Sequence, residues 1–585
     1  MSRFDAAVED FRWLLSKVIK VDDLLALSGV ENLDGEAVNQ VLVAAGEFVT
    51  TTIAPLSQLS DRIGARFDAG RVRMAPGWHE AFRSWRDHGW PGLSAPSAYG
   101  GQGMPFILQA CVATMLGGAD LAFAMIAVSA RGAISVLAAH ADPQLAAICV
   151  PRLARGEWTA TIAITEAQAG SDVGLISTRA SRSANGRFAL TGSKVFISGA
   201  DHDLTKQIVH LVLARIEGGL PGTKGLSLFL VPARRFSDDG ELLRWNGATV
   251  MGIERKMGLH GSPTCTLTFE NSEGILIGAE SAGLATLFTM MNELRLEVAL
   301  NAIGISASAT SHAQSYAAER RQGRSVLDRT ATATLDHHPD IQRMLHIMRV
   351  LTEAGRALVL ETSRSMDLVR LSPSVEIRDQ AAHRLEWLLP VCKASLSEYA
   401  VEVADLGIQI RGGHGYVSDS GAEQFLRDAR VLPIYEGTNG IHAINLVSRT
   451  LRRDGGRCYQ RFICDIRDDL RSVQSRTDLT DIRATVEQGV SVLEVVSGRL
   501  SAYMADNEWA PLYAAKAYLD LVGRVALGWM WLRMAAAAAE LADEISRDKR
   551  KLASFFAGYF EADFQLHGSR VLAILDRPSV FSYAA

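Results

Sequence analysis

A carboxylate stands in the run Ile434-Tyr435-Glu436-Gly437-Thr438-Asn439, between a stretch ending in Pro433 and a Gly-Thr turn. A glutamate at a loop tip can act as a base, with backbone N–H groups beside it to receive developing negative charge. It can equally be a solvated turn residue, the commoner fate of a loop carboxylate. Far upstream lies Thr165-Glu166-Ala167-Gln168-Ala169-Gly170-Ser171-Asp172. There Gly170 and Ser171 offer backbone and hydroxyl donors where a ligand must approach closely, although an ordinary turn reads the same way. Arg320, in Glu319-Arg320-Arg321-Gln322-Gly323-Arg324, suits bidentate contact with phosphate. A solvated helix end would look alike.

The elements that must position these residues follow from periodicity. Apolar residues recur at helical spacing in 38–56 and 106–137, so residues 1–160 read as a helical domain. The glycine-rich Tyr99-Gly100-Gly101-Gln102-Gly103-Met104-Pro105 has no strand before it, which excludes a dinucleotide-binding loop. Short β-branched and aromatic runs at 186–198, 207–215, 225–233 and 264–269, with a hairpin turn at Asn185-Gly186, predict a β domain over 161–280, a sandwich or barrel. Long helical segments (282–322, 338–370, 378–410) predict an antiparallel bundle over 281–450. An additional helical domain, broken near 475–480 and at Pro511, fills 451–585. The fold class is therefore mainly α with a central β domain.

At 585 residues, with 48% hydrophobic and 21% charged, the chain can bury a large core without disulfides or metals. A net charge of −5, and a tail from 451 onward whose acids and bases balance, give no electrostatic basis for nucleic-acid binding. Six scattered cysteines form no C-x-x-C pair and read as structural thiols in a reducing compartment. His337-His338 precedes Pro339-Asp340, a helix start without the further ligands of a metal site, so no metal is expected. No uncharged apolar run reaches the roughly 18 residues of a membrane span. The N-terminus lacks a signal-peptide pattern. The expectation is a cytoplasmic protein.

Together the two motifs resemble the signature segments of the acyl-CoA dehydrogenase family. The resemblance covers roughly 40–450, and the tail is similar to that of a larger subfamily with an extra C-terminal helical domain. Lys256-Met257-Gly258-Leu259-His260-Gly261-Ser262-Pro263 also looks like that subfamily. The resemblance implies FAD-dependent α,β-dehydrogenation of an acyl-CoA to the trans-2-enoyl-CoA. Glu436 would take the α-proton while hydride leaves the β carbon for flavin N5. The Glu436 N–H and an FAD hydroxyl would hold the thioester oxygen, with Arg295, Ser171 and Gly437 on the substrate side. Some relatives carry the base just before the arginine that Arg295 matches. Here that residue is Leu294, and Glu293, one helical step away, points elsewhere.

For FAD, the resemblance implies Ile164, Thr165, Gly170 and Ser171 along the isoalloxazine, with Phe196 (where the family usually has tryptophan) and Ser198 beside it. Arg320 would reach FAD phosphates across a dimer interface, 25 residues after Arg295, as in the family. Gln409, Gly412 and Gly413 would meet the partner subunit's FAD, though helix capping also explains these glycines. Thr438 and Asn439 match residues near the flavin phosphates. The implied partners are an acyl-CoA, an electron-transfer flavoprotein as acceptor and a second copy of the chain. The alternatives are a flavin-bearing, DNA-associated stress protein, whose C-terminal domain would be basic, and an oxidase using oxygen.

Overall fold

The structure, a computed structural model, describes residues 4–183, 186–326, 332–506 and 509–581. Contacts divide the chain into two compact units. One comprises Phe48–Met104 and Ala119–Glu297; the other comprises Met1–Glu47, Pro105–Gly118 and Val298–Ala585.

The first unit includes helices α1 (Leu121–His140) and α2 (Pro143–Ala154) and, beside smaller two-stranded pairs, a seven-stranded sheet. The strands are β1 (Thr159–Ala163), β2 (Arg179–Arg182), β3 (Phe188–Ser198), β4 (Ile208–Ile216), β5 (Leu226–Pro232), β6 (Ala248–Ile253) and β7 (Thr264–Ile277). β3 pairs with β2 and β7, β2 with β4, β4 with β5, and β5 with β7. These pairings close a ring of five strands, so the β region is a barrel. β1 adds in parallel to β4, and β6 adds antiparallel to β7. β5 is buried throughout and β4 nearly so, which explains why both are mostly apolar on both faces. Of the expected hairpin turn, Gly186 has φ 76, as such a turn requires, and Asn185 lies outside the described residues.

The helical reading of 106–137 is split at Asp120, whose carboxylate caps α1 by accepting from Phe123 N–H at 3.2 Å. The stretches 35–63 and 121–140 are long and apolar enough to cross a membrane by length and composition alone. Arg131, in the middle of α1, is buried and ion-paired with Glu297. That pairing suits a core helix.

The second unit is helical: α3 (Gly283–Glu319) from Val298 onward, α4 (Pro339–Leu371), α5 (Val375–Arg411), α6 (Asn439–Asn445), α7 (Arg457–Ser472), α8 (Thr480–Asp506), α9 (Ala510–Ala538) and α10 (Glu544–Asp576). The helix expected to run to 322 ends at Glu319. Arg321–Arg324 instead pairs antiparallel with Thr332–Thr334, because Gly323 at φ 71 turns the chain out of helical geometry. The extra C-terminal helices lie on α4 and α5: Arg384 grips Asp465 at 2.6 and 2.8 Å, and the Trp387 and Phe462 rings stack at 5.8 Å. The N-terminal helix joins them through a buried charge cluster. Lys549 lies 2.8 Å from Glu353 and 2.5 Å from Asp10, and Arg356 pairs with Asp10. Burial raises the Asp10 pKa, but the two cations outweigh it and bring the carboxyl down to about 2.

Candidate active site

In the barrel unit β1 runs into Ile164 and Thr165, then a tight turn in which Glu166 and Ala169 exchange backbone hydrogen bonds of 3.0 Å. Val195 N–H donates to the Thr165 carbonyl at 2.9 Å, which joins this motif to Lys194-Val195-Phe196-Ile197-Ser198. The buried Lys194 ammonium donates to the Ile164 carbonyl at 2.9 Å, to Leu213 O at 2.7 Å and to Glu166 at 2.8 Å. The Glu166 carboxylate also accepts from the N–H and hydroxyl groups of Ser177 and Thr178 and from Gln168. Burial raises the Glu166 pKa, but Lys194 and these donors outweigh it and hold the carboxyl far below the usual range. Burial moves Lys194 the other way, down to about 8, against the pull of Glu166.

With the Ile164 carbonyl turned toward Lys194, the trans peptide turns the Thr165 N–H to the opposite side. Next to this strip the β3–β7 register skips a residue between Lys194 and Ile197. The resulting bulge presents Phe196 outward, 63% exposed, at φ 60. An aromatic residue in left-handed backbone is strained, and such strain concentrates at ligand sites. Gly170 and Ser171 are exposed, and a Cβ at Gly170 would meet nothing within 4 Å. Ser198 pairs with Thr264 at the end of β3. An exposed ring, an outward amide and an open glycine turn fit the flat, hydrogen-bonding ring system of FAD. Arg295 is half-buried on α3. Leu294, at the alternative base position, is buried and packs toward Gly132. Glu293 accepts from the Ser135 hydroxyl at 2.9 and 3.0 Å, a structural contact.

In the helical unit Glu436 is half-buried at φ 55, followed by Gly437 at φ 86. His442 Nε2 lies 3.1 Å from the Glu436 carbonyl, and Lys393 Nζ donates to the Gly437 carbonyl at 2.7 Å. Thr438 caps α6, its hydroxyl accepting from Ile441 N–H at 3.4 Å. The Asn439 amide is engaged within the protein: it accepts from Lys393 at 3.0 Å and donates to Ala394 O, Ser397 Oγ and Glu398. Arg320 is exposed just past α3. Tyr316, one turn earlier, faces the His414 ring at 6.2 Å, so this helix end lies beside the loop of Gly412 and Gly413. Gln409 is exposed, and Gly412 ends α5 at φ 58 and ψ −136, a conformation open to glycine.

Sequence reasoning assigned no role to Lys393, Lys194, Glu166 or His442. The available signal was a lone charge in an apolar stretch, as in Trp387-Leu388-Leu389-Pro390-Val391-Cys392-Lys393.

The barrel unit thus carries a strained aromatic and an open glycine turn at its edge, and the helical unit a carboxylate on a left-handed loop. The chain belongs to the acyl-CoA dehydrogenase family. Descriptions of that family's N-terminal, middle and C-terminal domains match residues 36–157, 161–272 and 281–451, and "Acetyl-CoA dehydrogenase C-terminal like" matches 462–574. It is 36% identical to a 3-methylmercaptopropionyl-CoA dehydrogenase of Ruegeria pomeroyi over 97% of this chain and 98% of that one. It is 31% identical to a broad-specificity linear acyl-CoA dehydrogenase of Mycobacterium tuberculosis over 96% of each. Two solved structures share the fold. Caenorhabditis elegans ACDH-11 in complex with C11-CoA has a TM-score of 0.80 at 22% identity, over 100% of this chain and 97% of that one. An acyl-CoA dehydrogenase from Bacillus anthracis complexed with FAD has a TM-score of 0.77 at 20% identity, over 95% and 91%. The chain is thus an oxidoreductase of that family.

Proposed function

We propose that Glu436 is the base that removes the α-proton of a bound acyl-CoA thioester, in an α,β-desaturation giving the trans-2-enoyl-CoA. The observation that carries this is the Glu436 backbone, held at φ 55 in a turn whose carbonyls are tied to His442 and Lys393. A non-glycine residue keeps that conformation only where its surroundings impose it. With those carbonyls engaged, the N–H groups of Gly437 and Thr438 face the opposite way, as trans peptides require. The Glu436 N–H of the same turn, with an FAD hydroxyl, would receive the negative charge that builds on the thioester oxygen as the α-proton leaves. Arg295, Ser171 and Gly437 contact the substrate. Ile164, Thr165, Gly170, Ser171, Phe196, Ser198, Arg320, Gln409, Gly412, Gly413, Thr438 and Asn439 hold FAD, Asn439 through the loop it anchors. FAD, when bound, supplies the acceptor for the hydride leaving the β carbon.

The reading extends to a homodimer, since Arg320, Gln409, Gly412 and Gly413 are exposed and match residues that serve a second subunit. An electron-transfer flavoprotein is the proposed acceptor. The test is an anaerobic titration with acyl-CoAs from short to long, beside Glu436→Gln. Bleaching of the flavin band near about 450 nm by one chain class, with the variant unbleached, supports base and substrate class together. A Glu436→Gln variant that bleaches like the wild type removes the assignment.

A further inference from the structure

We propose that Lys393 is a positioning residue for Glu436, acting with His442 to hold the two carbonyls of the Glu436-Gly437 turn and so aim the carboxylate. This rests on the base assignment above and adds the device that orients the base. Lys393 lies on α5 with no exposed surface. Its ammonium donates to the Gly437 carbonyl at 2.7 Å and to Asn439 Oδ1 at 3.0 Å. Asn439 is in turn fastened to α5 by its amide, which donates to Ala394 O at 3.0 Å and Ser397 Oγ at 3.1 Å. The turn is thereby bound to a rigid helix on one side. On the other, His442 from α6 meets the Glu436 carbonyl at 3.1 Å. Because a carbonyl only accepts, His442 must carry its proton on Nε2.

Such a site is not what packing alone selects. A methionine or leucine would fill the interior at less cost than an ammonium that must be desolvated. What the ammonium adds is a short, charge-assisted bond to one particular carbonyl. Glu436 sits at φ 55 and Gly437 at φ 86. Glutamate leaves that region readily when its restraints go, and a carboxylate shift of about 1 Å costs on the order of a hundredfold in rate. The two anchors hold successive peptides of one turn from different helices, so loss of either frees the same carboxylate.

The test uses the full-length, FAD-loaded protein with Lys393→Met, His442→Leu, His442→Gln and Glu436→Gln. Each is mixed anaerobically with the acyl-CoA that bleaches the wild type, and the bleaching rate constant, half-saturating concentration, FAD content and melting temperature are recorded. Lys393→Met and His442→Leu are expected to bleach about ten- to a hundredfold more slowly. With rates referred to bound FAD, half-saturation should stay within about threefold, while His442→Gln, which keeps a donor, regains most of the rate. Wild-type bleaching by a folded, loaded Lys393→Met overturns the proposal, as does a defect confined to half-saturation. If Lys393→Met does not fold, the His442 pair decides: equal rates for Leu and Gln overturn it. Fast bleaching by Glu436→Gln overturns the base assignment and this role with it. Slow bleaching by Glu436→Gln with Lys393→Met unaffected overturns the positioning role alone.

Discussion

The Lys194 ammonium lies 2.8 Å from the Glu166 carboxylate, and neither side chain reaches solvent. Removing one partner of a buried pair leaves the other charge uncompensated, at about 3–5 kcal/mol. Lys194→Met is therefore expected to destabilise the protein by about that amount, measured by denaturant unfolding. Glu166→Gln/Lys194→Met should be less damaging than Lys194→Met alone. Because Lys194 also holds the Ile164 carbonyl, the single variant should bind FAD more weakly. Unchanged stability and unchanged FAD affinity in Lys194→Met would show the pair to be inert.

Gly437 sits where a side chain is strained and tight. At φ 86 an L-residue is strained, and a Cβ there would meet His442 Nε2 at 3.0 Å. Gly437→Ala is expected to cost about 1 kcal/mol or more of stability and to lower turnover at least about tenfold by displacing Glu436. Wild-type turnover in a steady-state assay would count against a fixed loop.

Acid should loosen the barrel unit. Burial lowers the pKa of His202 to about 4 and of His210 to about 3, from an ordinary 6.5. Their ring nitrogens meet the hydroxyls of Thr159 and Thr161 at 2.9 and 2.7 Å. The unfolded chain takes up these protons at higher pH than the folded one, so stability falls as pH drops from about 6.5 toward 4 and 3. Glu166, held low in the fold, adds a loss below about 4.5 in the same direction. Melting temperature against pH should decline over this range, and a His202→Gln/His210→Gln variant should show a shallower slope above about pH 5. An identical slope would exclude the histidines.

All six cysteines are free, and five are buried while Cys464 is exposed. Burial pushes Cys149, Cys265, Cys392 and Cys458 up to about 12 and Cys111 upward as well. Reaction of the native protein with a thiol reagent should give one fast equivalent, absent in Cys464→Ser. Two or more fast equivalents would mean that the buried thiols open to solvent.

Much of the architecture is written locally. The runs at 207–215 and 225–233 and the long segments at 338–370 and 378–410 carry their periods on their surfaces, and the strands and helices found there match within a few residues. The family segments around Glu436 and Thr165 were legible because a loop that does chemistry keeps a compact set of neighbours along the chain. Helix ends were less legible: Glu319 ends α3 because residues 321–324 find a strand partner, which no periodicity in 282–322 discloses.

The sequence by itself determined the order of elements, the family and the candidate base. Only the tertiary structure decided that the β region closes into a barrel, since closure depends on β5 pairing with both β4 and β7. It alone put Phe196 on a bulge, because a bulge is a mismatch between two strands and belongs to neither. It also turned two lysines from unremarked charges into anchors. Lys194 meets Glu166 from 28 residues away, and Lys393 meets Gly437 from 44. A buried ammonium acquires its role from the carbonyls and carboxylates that folding brings to it, and linear spacing carries no record of them.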